Sequence, residues 1–105
     1  MSFKNKLDNI IKTNRSYLCV GLDTDYNKIP GCIKTSSIFD SIFNFNKEII
    51  SATKDKVCSY KLNLAFYEAS GIDGIKALKD TIKIIPQNIP VILDGKRGDI
   101  GNTTS

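Results

Sequence analysis

ILDGKRGDIGNT, residues 92–103, starts as the end of an apolar strand and turns polar at Asp94, Lys96 and Asp99. With the two residues before it, PVILD (90–94) reads as a short strand. Side chains alternate faces along a strand. Val91 and Leu93 therefore oppose Ile92 and Asp94, and Lys96 joins the second face if the strand continues. An Asp and a Lys two apart project side by side from a strand, which places a carboxylate and an ammonium together at its carboxyl end.

Working back from this strand, Ile72, Ile75, Leu78 and Ile82 form one apolar helical stripe over 71–84, and Pro86 ends it because proline cannot continue the hydrogen-bond ladder. Ser70 and Asp73 read as a cap-like pair at its start. VCSYKLNLAF (57–66) reads as a second strand, with Tyr60, Leu62, Leu64 and Phe66 on one face and Ser59, Lys61, Asn63 and Ala65 on the other. Over 37–53, Ile38, Ile42, Phe45 and Ile49 recur at helical spacing, and Ser37 with Asp40 resembles a capping box, with Asp in place of the usual Glu. SYLCVGLD (16–23) reads as a strand followed by a loop, TDYNKIPGCIKTS, and Phe3, Leu7, Ile10 and Ile11 predict a short helix over 3–11. Strands alternating with amphipathic helices predict βαβ units, a parallel sheet and an α/β fold.

Each predicted strand has an apolar face, and each carries a charge on the opposite face toward its carboxyl end: Asp23, Lys61 and Asp94 with Lys96. Parallel strands covered on both sides should be almost unbroken apolar runs. The charges break that rule where α/β proteins place their active sites, at the carboxyl ends of strands. Taken singly, Asp23 is equally a solvated strand end, and Asp99 is equally a turn residue or a helix N-cap. Lys61 interrupts the interior of an apolar strand and is harder to explain in that way. Buried charge is costly unless paired, so an alternating Asp/Lys cluster is the economical way to keep it, and such clusters mark functional sites.

Composition narrows the function classes. The chain is 41% hydrophobic and 25% charged, with a net charge of +4 and no histidine, which excludes His-based nucleophile activation and His metal sites. Cys19, Cys32 and Cys58 show no metal-ligand spacing and read as reduced thiols of a cytoplasmic protein. No apolar run approaches the roughly 18 residues needed to span a bilayer, and the charged amino terminus does not lead into an apolar signal region. Lysines spread along the chain without aromatic interleaving argue against a nucleic-acid partner. The positive charge suits a small anionic substrate.

DGKRGDIGNT, together with VGLD on the first strand and YKLNLAFYE on the second, resembles the orotidine 5′-phosphate decarboxylases. The resemblance implies a (β/α)8 TIM barrel, active as a homodimer with shared active sites. It implies conversion of orotidine 5′-monophosphate to UMP in pyrimidine biosynthesis, without metal or cofactor. It places Asp23 on the ribose hydroxyl of the substrate, and Lys61 on the ribose and beside the neighbouring carboxylate. Asp94 would sit next to the substrate carboxylate, and Lys96 would donate the proton that replaces CO₂. Asp99 and Thr103 would reach into the partner subunit's site.

A closed barrel of this class takes about 250 residues, and three strands cannot close one. Residues 1–105 are therefore expected to be the N-terminal fragment of a single TIM-barrel decarboxylase domain, inactive alone and without the phosphate-binding loops, the lid and a phosphate-gripping arginine. Two other classes share part of the pattern. Related Mg²⁺-dependent sugar-phosphate decarboxylases or synthases also carry Asp-x-Lys-x-x-Asp, but typically have an acidic metal ligand on the second strand, where Lys61 stands. A non-catalytic half-barrel would bind nucleotide or self-associate without turnover.

Overall fold

The computed structural model describes residues 2–95. The described residues form α1 (Phe3–Asn14), β1 (Cys19–Gly21), a short 3₁₀ turn (Tyr26–Lys28), α2 (Ile38–Thr53), β2 (Ser59–Asn63), α3 (Leu64–Glu68), α4 (Gly71–Ile84) and β3 (Val91–Asp94). The strands make one parallel sheet in the order β1-β2-β3, so spatial order follows chain order. This is the α/β architecture of the N-terminal part of a (β/α)8 barrel.

Register sorts the side chains. Val20, Tyr60 and Val91 lie in one layer, and Leu62 pairs with Leu93 in the next. Tyr60, Leu62 and Leu22 are buried in the same cluster as Ile42 and Ile50 of α2 and Ala77 and Leu78 of α4. On the opposite face, Gly21, Lys61 and Ile92 share a layer, and Asn63 pairs with Asp94. The helices thus cover one side of the sheet, and the charged groups lie on the other.

The helix starts show which sequence signals were sufficient. At α2 the Ser37 hydroxyl accepts a hydrogen bond from the Asp40 amide, as the capping-box pattern predicts. At α4 the Ser70 side chain makes no cap hydrogen bond. The chain there comes directly out of α3 and turns at Gly71, which has φ +70°, so the backbone geometry rather than a side chain begins the helix. The predicted second strand is too long. Asn63 accepts from the Ala65 amide and starts α3, so residues 64–66 are helical and Phe66 does not continue the face of Leu62. The first strand is also shorter than 16–23, spanning Cys19–Gly21 with one further ladder bond on each side from Leu18 and Leu22, while α1 runs past residue 11 to Asn14. The Asn14 side-chain amide donates to the carbonyls of Lys54 and Val57, which ties the end of α1 to the entry of β2.

α4 can pack closely only because of Gly74. A Cβ at this position would stand 2.0 Å from the Tyr67 carbonyl oxygen and 2.9 Å from the Ser70 Cβ. The nearer neighbour is backbone of α3, which cannot swing aside, and the other is the cap residue of α4 itself. Overpacking of this kind costs typically 1–3 kcal/mol or more. Gly74→Ala should therefore lower the free energy of unfolding by about 3 kcal/mol, measured by chemical denaturation. Gly31→Ala, with nothing within 4 Å of the added carbon, should stay within about 0.5 kcal/mol of the parent.

Candidate active site

Three of the charges singled out in the sequence lie on the polar face of the sheet, two of them in contact. The Lys61 ammonium lies 3.5 Å from the Asp94 carboxylate, on the neighbouring strand. Asp23, two residues beyond Gly21 and so on the same face, accepts a hydrogen bond of 3.0 Å from the Asn63 amide at the end of β2. Asp94 ends β3 and Asp23 lies just past β1, while Lys61 stands mid-way along β2 and reaches Asp94 from there. Lys96, Asp99 and Thr103 lie outside the described residues. Lys96 follows Asp94 by two positions and Asp99 by five.

Lys61 is less enclosed than a mid-strand lysine leads one to expect. Its side chain is 46% exposed and that of Asp94 is 25% exposed. At such exposure an ion pair contributes about 0–1 kcal/mol, so stability gives little reason to keep it. Its chemical content is a fixed positive charge beside a fixed negative one on an open face. Asp23 also lines a cleft of about 340 Å³, together with Thr24, Asp25, Lys28 and Phe66. A larger cavity of about 780 Å³ lies at the opposite end, by Pro86, Asn88 and the start of β3, and has no carboxylate or thiol in its lining. The three thiols are free, Cys58 buried and Cys19 and Cys32 exposed.

Sequence reading missed two features. Asn63 sits on the polar face between Asp23 and Asp94, binding one through its amide and pairing with the other in register. The signal was an asparagine, a favoured N-cap residue, just before LAFYE. The second feature is a buried polar group behind the site. The Tyr67 hydroxyl donates to the Leu22 carbonyl. The Asn46 side-chain amide donates to Tyr67 at 3.1 Å and to Thr81 at 3.0 Å, and its carbonyl accepts from the Thr24 hydroxyl. Among the described residues, no buried side-chain nitrogen or oxygen lacks a hydrogen-bond partner.

Burial pushes the Tyr67 phenol above its ordinary pKa; hydrogen bonds with Thr24 and Asn46 pull it down less strongly, and the negative charge of Asp23 adds to the rise. Burial raises Tyr60 as well, opposed by its hydrogen bond with Thr53.

Parallel strands in chain order, backed by helices on one side and carrying their charges on the other, fit a segment of a (β/α)8 barrel, the class of fold that holds its functional sites at the carboxyl ends of its strands. The model of the orotidine 5′-phosphate decarboxylase / HUMPS family matches residues 16–105, and the chain belongs to that family. It is 50% identical over 101 residues to the orotidine 5′-phosphate decarboxylase of Herpetosiphon aurantiacus, covering 96% of this chain and 37% of the relative. It is 49% identical over 105 residues to that of Thermomicrobium roseum, covering 100% and 37%. Among solved structures, it resembles the orotidine 5′-monophosphate decarboxylase of Plasmodium berghei with a TM-score of 0.82 at 28% identity, over 98% of this chain and 46% of that one. The OMP decarboxylase of Leishmania donovani gives 0.70 at 32% identity, over 92% and 34%. The chain therefore spans 37% of the length of these two curated relatives.

Two outcomes follow from the site's energetics. Lys61→Met should change the free energy of unfolding by less than about 1 kcal/mol, as read by urea titration. The raised phenols keep their full contribution to stability below their ordinary value near pH 10 and lose it as pH climbs through the raised folded-state values. The denaturation midpoint should fall steeply above about pH 10, and less steeply in Tyr67→Phe.

Proposed function

We propose that this chain supplies the first three strands of an enzyme that decarboxylates orotidine 5′-monophosphate to UMP, a step of pyrimidine biosynthesis, without metal or cofactor. The observation that carries this reading is the Lys61–Asp94 pair on the polar face of adjacent strands, with Asp23 bonded to the Asn63 amide on the same face, in a chain of this family. The curated relatives named above are decarboxylases of that substrate.

In this reading the substrate lies across the polar face. Asp23 accepts from a ribose hydroxyl. Lys61 contacts the ribose and holds the Asp94 carboxylate in place. Asp94 stands beside the carboxylate that leaves. As the carbon–carbon bond breaks, CO₂ departs and its bonding electron pair stays on the pyrimidine carbon, where the ring delocalises it poorly. The Lys96 ammonium stabilises that developing charge and then transfers a proton to the carbon, ending as a neutral amine. Asp94, together with the Asp99 that the second subunit contributes, favours the ammonium form of Lys96, because opposite charges within a few ångströms stabilise ionisation. Asp99 and Thr103 serve the site of the second subunit of a cytoplasmic homodimer.

Three strands hold the charged groups but do not enclose a nucleotide, so the chain alone is inactive in this reading. The test follows the absorbance of orotidine 5′-monophosphate over the 105-residue chain, with and without the remainder of the barrel supplied in trans. Turnover should require the added part and should fall by about 1000-fold or more in Lys96→Ala, since charge stabilisation and proton transfer are lost together. A folded assembly without turnover, or one in which Lys96→Ala is silent, would overturn the reading.

A further inference from the structure

The Asp23 carboxylate is exposed, but the backbone that carries it is held on both sides by groups that are not. Before it, the Leu22 amide donates to the Lys61 carbonyl at 2.8 Å and the Leu22 carbonyl accepts the Tyr67 phenol. After it, the Thr24 hydroxyl donates to Asn46. Asn46 in turn donates to Tyr67 and Thr81. Asn46, Tyr67 and Thr81 are fully buried, and Thr24 is 5% exposed. They come from α2, α3, α4 and the turn after β1, so three helices converge on the two residues that flank one carboxylate.

A buried polar network of this kind is an expensive way to fill a core. A phenol, an amide and two hydroxyls each lose their hydration, and each is costly if any partner is missing. Apolar side chains of similar size would fill the space without that demand. What they would not do is fix the direction of the Leu22 carbonyl and the Thr24 side chain, and through them the turn that aims Asp23.

We propose that Tyr67 and Asn46 are positioning residues for Asp23: they set the end of β1 so that its carboxylate meets the Asn63 amide on one side and the substrate's ribose hydroxyl on the other. The inference rests on the reading of Asp23 given under Proposed function. Neither residue touches substrate. The Tyr67 phenol is protonated at neutral pH and so is a donor, and burial, helped by the nearby charge of Asp23, moves its ionisation further up.

The test is a double-mutant cycle in the complete barrel enzyme, with Tyr67→Phe, Asp23→Asn and the pair, reading kcat and KM for orotidine 5′-monophosphate. Tyr67→Phe should lower kcat/KM by about 10-fold, mainly through KM, and by less than about 2-fold when Asp23→Asn is already present. Equal losses in the two backgrounds, or a lowered melting temperature with unchanged kcat/KM, would mean a structural role alone and would overturn the proposal. Thr24→Val removes the other flanking hydrogen bond at nearly constant volume and should act in the same direction, which keeps the question open to test if Tyr67→Phe folds poorly.

A readout independent of turnover is the Asn63 amide, followed by NMR without substrate. Loss of its hydrogen bond to Asp23 should move its proton resonance upfield and speed its exchange in both variants. An unchanged Asn63 amide in Tyr67→Phe and Thr24→Val would overturn the proposal outright. A parent enzyme with no turnover, or an Asp23→Asn variant with unchanged kcat/KM, would instead strike the role assigned to Asp23, and the Asn63 amide would still decide whether Tyr67 holds it.

Discussion

At Gly74 the carbonyl oxygen of Tyr67 stands 2.0 Å from where a side chain would begin. This close approach sets how near α4 can come to α3, and much of what lies beneath depends on it. With α4 at this distance, Thr81 reaches Asn46, Asn46 reaches Tyr67, and Tyr67 reaches the carbonyl at the end of β1. A side chain at position 74 would push α4 outward, and hydrogen bonds weaken steeply with distance and misalignment. The missing methyl group of one residue therefore bears on the placement of a carboxylate two elements away.

The polar face follows a different economy. Lys61 and Asp94 are too exposed for their attraction to add much to folding. Lysine and aspartate also have low preference for strands. Their presence together on adjacent strands is a cost in local propensity with little return in stability, and sites of function are where such inconsistencies are expected. The helix-facing side of the same strands makes no comparable concession, with Leu22, Tyr60 and Leu62 all buried.

Much of this was legible in the residues themselves. Alternation in 57–63 and 90–94 placed Lys61 and Asp94 on one face, because a period of two leaves only two choices and the apolar partners decide between them. The Ser37–Asp40 cap was equally plain, since all its atoms lie within one turn. What escaped was governed by distant partners or by backbone geometry. Asn46 looks like a lapse in the stripe of Ile42, Phe45 and Ile49, and only the fold brings Tyr67 and Thr81 to it, 21 and 35 residues away. LAF reads as strand by composition and by alternation with what precedes it, yet the side chain of Asn63 caps it into a helix. Ser70 carries the right letter for a cap, but Gly71 takes a left-handed conformation and the serine hydroxyl finds no amide to accept from.

The sheet order β1-β2-β3 has a consequence for how such a chain comes into being. Each strand pairs with the one synthesised just before it, and the intervening helix lies between them in sequence. Nothing among the described residues has to wait for a distant segment before its ladder can form. A chain emerging from a ribosome can add one strand and its covering helix at a time to a growing edge, paying only the modest closure entropy of a single crossover at each step. The edge that remains after each addition is the template for the next strand.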